Sequence, residues 1–198
     1  MPDVAVLYAK KELRRRMLSI RRGLSVQENE AFSTAVLQRL YAMEQYQQAQ
    51  CVFCYAAMAE EVQTWELLER ALAEGKTVCL PKITGKGMME AVCLPSLEVL
   101  VPGDFGILTV KPELQQILPA GRIDFVVVPG AAFSIQGARL GLGGGYYDRF
   151  LARTVDAYRA AVTFDVQLSE DIPVEKHDCY MDAVITEKRL IFCNPDKS

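Results

Sequence analysis

The chain has 198 residues, of which 51% are hydrophobic and 24% charged, and a net charge of −3. This composition excludes disorder, collagen and coiled coil, and the length supports a buried core that needs no disulfide or metal staple, so we expect one domain over residues 1–198. No run approaches the ~18 consecutive apolar residues of a membrane span, and the opening MPDVAVLYAKKELRRR puts its charges after its apolar stretch, the reverse of a secretory signal, which points to the cytoplasm.

Apolar spacing predicts a first helix over Val4 to Arg22. Residues 10–22 carry seven basic side chains against the single acid Glu12. At about 100° per residue, Arg14 and Arg21 fall within roughly 40° of Lys10. These three border the apolar stripe of Leu13, Met17, Ile20 and Leu24, whereas Lys11, Arg15 and Arg22 face outward. The inner row can reach a cleft; the outer row reads as a solvated face. The rest of the chain is acidic overall, which argues against general nucleic-acid binding and leaves room for a small polyanion where the basic arm faces a cleft.

A second helix starts at the capping box Ser25-Val-Gln-Glu28 and is expected to run through Ala49. CVFCYAA, from residue 51, reads as a strand, MAEEVQ as a loop, and the next segment as a helix opened by Thr64 and closed by Gly75. TVCLPKI and MMEAVCL are strands joined by the turn TGKG. Residues 97–121 read as irregular. IDFVVVP is a strand buried on both faces, followed by the long loop GAAFSIQGARLGLGGG, the helix YYDRFLARTV, and two last strands in AYRAAVTF and DAVITE. Strands alternating with helices predict an α/β fold: a mainly parallel sheet with helices on both faces, in an open three-layer architecture. Ligands then sit beyond the C-terminal ends of strands, which favours the MAEEVQ loop and the glycine loop.

Five of the nine residues from Gly137 to Gly145 are glycine. Glycines permit positive φ and close backbone approach, so amide groups can converge on an anion, with Arg139 as a fixed cation. The loop is neither a G-x-x-x-x-G-K-[ST] nor a G-x-G-x-x-G motif. Asp148, in the first turn of the next helix, suits either the helix dipole or a Mg²⁺ ion between carboxylate and phosphates. Glu60 and Glu61 lie in the other favoured loop. Trp65 reads as a packing residue. Cys51 and Cys54 form a C-x-x-C, but three residues apart on a strand they point to opposite faces and cannot share a metal. His177 is the only histidine, which excludes a histidine dyad.

Together these pieces resemble the 5-formyltetrahydrofolate cyclo-ligase family, also called 5,10-methenyltetrahydrofolate synthetase. The resemblance rests on Lys10-Lys-Glu-Leu-Arg14, on Glu60-Glu61-Val-Gln-Thr64-Trp65, on Pro129-Gly-Ala-Ala-Phe133 through Arg139-Leu-Gly-Leu-Gly-Gly-Gly-Tyr-Tyr-Asp148-Arg-Phe, and on His177-Asp178 to Asp182. Ser134 stands where the family commonly has Asp, and Gly106-Ile107-Leu108-Thr109-Val110 replaces a common G-I-P-E-P.

The resemblance implies ATP-dependent conversion of 5-formyltetrahydrofolate, with or without a polyglutamate tail, to 5,10-methenyltetrahydrofolate, ADP and phosphate. It implies no covalent protein nucleophile and no nucleic-acid or membrane partner, and a monomer is expected. It assigns ATP to Lys10, Arg14, Arg139, Leu140, Gly141, Leu142, Gly143, Gly144, Gly145, Tyr146 and Tyr147. It assigns the folate to Glu61 and Tyr146, and Mg²⁺ to Asp148 and Asp182. The alternatives are a sugar-phosphate isomerase or CoA-transferase-like enzyme on a related scaffold, or an RNA-binding protein using the basic helix.

Overall fold

The computed structural model describes residues 4–103, 106–175 and 178–193; His177 lies outside them. The helices are α1 (Val4–Arg22), α2 (Val26–Tyr41), α3 (Glu44–Gln48), α4 (Trp65–Ala73) and α5 (Tyr146–Leu151). The strands are β1 (Cys51–Phe53), β2 (Thr77–Gly85), β3 (Met88–Cys93), β4 (Leu100–Pro102), β5 (Leu108–Val110), β6 (Ile117–Leu118), β7 (Phe125–Val128), β8 (Ala132–Phe133), β9 (Arg139–Leu140), β10 (Tyr158–Val162), β11 (Ala183–Ile185) and β12 (Leu190–Phe192).

Eight strands form the main sheet in the order β12-β11-β10-β7-β1-β2-β3-β6. The five from β11 to β2 pair in parallel, and β3, β6 and β12 join antiparallel at the two edges. β1 and β7 are buried throughout, as expected of apolar runs covered on both faces. One face packs α2, α3 and α4 against Val52, Val78, Phe125 and Val127. The other packs Phe150 and Leu151 of α5 against Phe53, Val126 and Val128. Helices on both faces of a mainly parallel sheet make this an α/β fold. α1 lies outside these layers, with Leu13 and Met17 against Ala131, Ala132, Ala138 and Leu140. Among the described residues, no helix is long and apolar enough to cross a membrane.

After β1 the chain builds the sheet toward β2, and after β7 it builds toward β10. β1 and β7 are adjacent, so the strand order reverses between them. That is where an open α/β sheet leaves a crevice beyond its strand ends.

Several elements depart from the sequence reading. The second helix breaks at Met43, which takes extended angles and starts α3; its side chain is buried, so packing overrides local propensity. Residues 97–121 are not irregular. Leu100–Pro102 and Leu108–Val110 form a hairpin, and Ile117–Leu118 extends the main sheet. These strands are too short and too rich in Pro and Gly nearby to show a period. The glycine-rich loop holds its own hairpin, β8 with β9. α5 stops at Leu151 and not at Val155, and Leu190–Phe192 adds a strand after the two taken as last. Ile20, expected in the buried stripe, is 42% exposed. Thr64 precedes α4 without capping it; its hydroxyl donates to the Tyr55 carbonyl at 2.6 Å.

Candidate active site

A cleft of about 580 Å³ opens beyond β1 and β7. One wall is the glycine loop and the start of α5. The facing wall comes from four separated regions: Tyr55–Glu61, Pro81–Ile83, Val101–Gly103 with Ile107 and Thr109, and Pro129–Gly130. Most of its surface is apolar, with a few placed polar groups, the usual make-up of a small-molecule site.

Three guanidinium groups surround the glycine loop. Arg14 Nε donates to the Gly141 carbonyl at 2.7 Å, and a Cβ on Gly143 would lie 3.4 Å from the Arg14 Cζ. Gly143 has φ +101° and Gly145 φ +64°, angles that a side chain resists. A Cβ on Gly145 would fall 2.8 Å from Arg149. Arg149 fixes the loop by donating from Nε to Gly87 O at 2.6 Å and from Nη2 to the Gly144 carbonyl. Gly143 and Gly145 are thus required by their positive φ, and the arginines are held by backbone carbonyls.

Arg139 is almost fully buried. Its Nη2 donates to Asp148 Oδ1 at 2.8 Å and its Nη1 to the Pro129 carbonyl at 3.3 Å. Its Nε is buried without a hydrogen-bond partner, as is the Tyr147 hydroxyl. The guanidinium lies 5.5 Å from the Tyr147 ring centroid. Burial, then the nearby Cys54 and Glu61, pushes the Tyr147 phenol well up.

Glu60 and Glu61, adjacent in sequence, separate completely. Glu60 pairs with Arg22 at 3.0 Å and Arg21 at 3.5 Å, tying the loop to α1. Glu61 turns into the cleft and is 7% exposed. Its Oε2 accepts from the Met58 amide at 3.0 Å, and its own amide donates back to the Met58 carbonyl. Burial raises the Glu61 pKa, opposed by the Met58 amide and by Arg21.

The expected residues are not all brought together. Glu61, Arg139, Gly141, Leu142, Gly144, Gly145, Tyr146, Tyr147 and Asp148 line the cleft; Lys10, Arg14, Leu140, Gly143 and Asp182 do not. Arg14 and Gly143 sit just behind the loop, against each other. Leu140 is a core residue of β9. Lys10 is buried, and its ammonium is taken by Glu175 at 2.9 Å and Asp178 at 2.6 Å. Asp182 is the clearest departure. Its carboxylate accepts from the Arg159 amide at 2.8 Å, pinning β11 to β10 at the ends where the strands begin, so it does not join Asp148 as a ligand pair. The inner and outer basic rows do separate: Lys10 and Arg21 are buried, while Lys11, Arg15 and Arg22 are exposed.

Two features explain departures noted in the sequence. Ser134 Oγ accepts from the amides of Gln136 and Ala138, both at 3.2 Å, a turn-closing role that a short carboxylate would also fill. Thr109 lines the cleft where an acid was expected. The C-x-x-C does not act as a unit, because Cys51 and Cys54 lie in the cores on opposite faces of the sheet. Burial pushes Cys54 up to about 12. Sequence reasoning missed Tyr55 and Lys82, neither of which sits in a local pattern that signals a site, and gave no role to Arg149 at the end of the glycine-loop motif.

A doubly covered sheet with a guanidinium-lined glycine loop facing an apolar cleft and a buried acid defines an α/β protein with a small-molecule site where its strand order reverses. Residues 6–187 match the model of the 5-formyltetrahydrofolate cyclo-ligase family, and the chain belongs to that family. It is 30% identical to 5-formyltetrahydrofolate cyclo-ligase of Mus musculus, over 94% of this chain and 98% of the mouse protein. It is also 30% identical to the Escherichia coli K12 enzyme, over 86% of this chain and 96% of that one. The structure of Aquifex aeolicus 5,10-methenyltetrahydrofolate synthetase superposes with a TM-score of 0.83 at 32% identity, covering 96% of this chain and 95% of that chain. The protein is therefore a ligase of one-carbon folate metabolism.

Proposed function

We propose that the protein uses MgATP to cyclise 5-formyltetrahydrofolate to 5,10-methenyltetrahydrofolate, releasing ADP and phosphate. The observation that carries this reading is the pairing of walls in one cleft: a glycine loop ringed by Arg14, Arg139 and Arg149 faces the buried carboxylate of Glu61. The first suits a triphosphate and the second the donor edge of a pterin.

A formamide carbonyl is a poor electrophile. Its oxygen takes the γ-phosphoryl group, giving an imidoyl phosphate and ADP. N10 then attacks the activated carbon and loses its proton, and phosphate leaves as the ring closes. Such a transfer is governed by positioning and charge neutralisation, not by a protein nucleophile. Arg139 and the amides from Gly141 to Gly145 hold the phosphates, with Arg14 bracing the loop from behind. Lys10 is a positioning residue that fixes α1 against Glu175 and Asp178. Glu61 holds the pterin, and Tyr146 lines the junction between the two ligands.

Asp148 fits a Mg²⁺ ion. It lies on the cleft, Arg139 engages only its Oδ1, and Mg²⁺ is commonly held by one or two carboxylates together with substrate phosphates. When bound, the ion neutralises charge on the transferring phosphoryl group. An absorbance assay for methenyltetrahydrofolate tests the proposal: product must form with MgATP and not without it. Turnover without ATP would favour the isomerase or transferase reading.

A further inference from the structure

We infer that Lys82 is the anchor for the glutamate carboxylates of the folate substrate, an inference that rests on the folate reading above. Among the described residues only two cations line the cleft, Arg139 and Lys82. Arg139 has a carboxylate partner in Asp148. Lys82 has none within salt-bridge distance among the described residues. Its ammonium donates instead to the side-chain carbonyl oxygen of Gln115, and the Gln115 amide donates in turn to the Val110 carbonyl at 2.7 Å. A half-buried ammonium held by a neutral amide, in a mostly apolar cleft, has no carboxylate among the described residues to pair with before an anion arrives.

The position of Lys82 decides which anion. It sits on β2, in the wall that faces the glycine loop. The phosphates already have Arg139 and the loop amides, braced by Arg14 and Arg149, on the other side. Glu61 occupies the pterin position in the Tyr55–Glu61 segment. A folate is elongated, with its glutamate carboxylates at the end remote from the pterin. The polar groups left on the β2 and β5 wall are Lys82 and the Thr109 hydroxyl, which is buried there without a partner. Of the two, Lys82 offers a cation to a carboxylate, the anion the glycine loop does not serve.

The test crosses variants with substrates. For Lys82→Met, we expect the KM for 5-formyltetrahydrofolate to rise between ~10-fold and ~100-fold, the scale of losing a hydrogen bond to a charged group. With 5-formyltetrahydropteroate, which lacks the glutamate, the rise should shrink to within about threefold. Lys82→Arg should recover much of the loss. Gln115→Glu should mimic Lys82→Met while keeping the lysine, because it supplies the competing carboxylate. Equal losses with both substrates, or a rise confined to the KM for ATP, would overturn the assignment. Wild-type protein inactive on 5-formyltetrahydrofolate would overturn the folate reading itself, and the inference with it.

Discussion

The two walls of the cleft solve opposite electrostatic problems. The glycine-loop wall concentrates positive charge and satisfies it with backbone: Arg14 on Gly141, Arg149 on Gly87 and Gly144, and Arg139 on Pro129. Its one carboxylate, Asp148, is already engaged by Arg139. The facing wall is apolar and buries a carboxylate whose ionisation burial opposes. The first wall is pre-organised for an anion at little cost to the apo fold. The second holds a group whose charged form burial disfavours and the Met58 amide and Arg21 only partly offset. Stability and function should therefore move together on the loop side and apart on the Glu61 side.

Asp148→Asn should give the largest effect. We expect kcat to fall by at least ~100-fold, the scale of losing one pre-organised electrostatic contact. The melting temperature should fall as well, because the 3%-exposed Arg139 side chain loses its charged partner. Raised Mg²⁺ should restore part of the activity without restoring the melting temperature. Near-normal turnover in the folded variant at limiting Mg²⁺ would leave Asp148 as a partner of Arg139 alone.

Glu61→Gln should show the opposite coupling. The KM for 5-formyltetrahydrofolate should rise ~10-fold to ~100-fold with little change in that for ATP. Stability should increase at neutral pH. The folded-state pKa is raised, so between the unfolded value near ~4.3 and that raised value the folded state binds more protons, and wild-type stability falls as pH rises. Above that window the wild type bears the whole cost of the buried charge, and glutamine removes it. Melting curves at pH 8 and at pH 4 should show the gain at the higher pH and its loss at the lower. A variant less stable than wild type at pH 8 would show that Met58 and Arg21 outweigh burial.

Gly143→Ala probes the loop at a single φ. A side chain at φ +101° is strained by ~1–2 kcal/mol. We expect a roughly tenfold rise in the KM for ATP and a smaller one for the folate. Equal rises would show that the loop supports both ligands alike.

The loop wall was largely legible in the sequence because its signal is local: glycine density, a following helix, and Arg139 and Asp148 within one short span. The facing wall was not. Tyr55, Lys82 and Thr109 come from three strands or their ends, and a lysine in the middle of TVCLPKI carries no sign of the cleft it faces. The hairpin bearing Thr109 was invisible because three-residue strands show no period. Asp182 illustrates the reverse error. The family resemblance suggested it as a ligand, but it serves the Arg159 amide of the neighbouring strand β10, a need that appears only once β10 and β11 are paired.

The smallest difference should separate Lys10 from Lys11, neighbours on α1 with the same charge. Lys10 is 9% exposed and holds Glu175 and Asp178, whereas Lys11 is exposed on the outer face. Burial lowers the Lys10 pKa, but the hydrogen bonds to Asp178 and Glu175 outweigh it and the net shift is upward. The stability that the raised Lys10 pKa contributes is lost as pH rises through that raised value. Lys10→Ala removes the ammonium that ties α1 to Glu175 and Asp178, one helical turn from Arg14. We expect a lower melting temperature and ATP binding weakened by about five- to tenfold in calorimetric titration, while Lys11→Ala stays within the small range of exposed-charge changes. Equal losses in the two variants would mean that the basic arm acts through its net charge and not through the buried row.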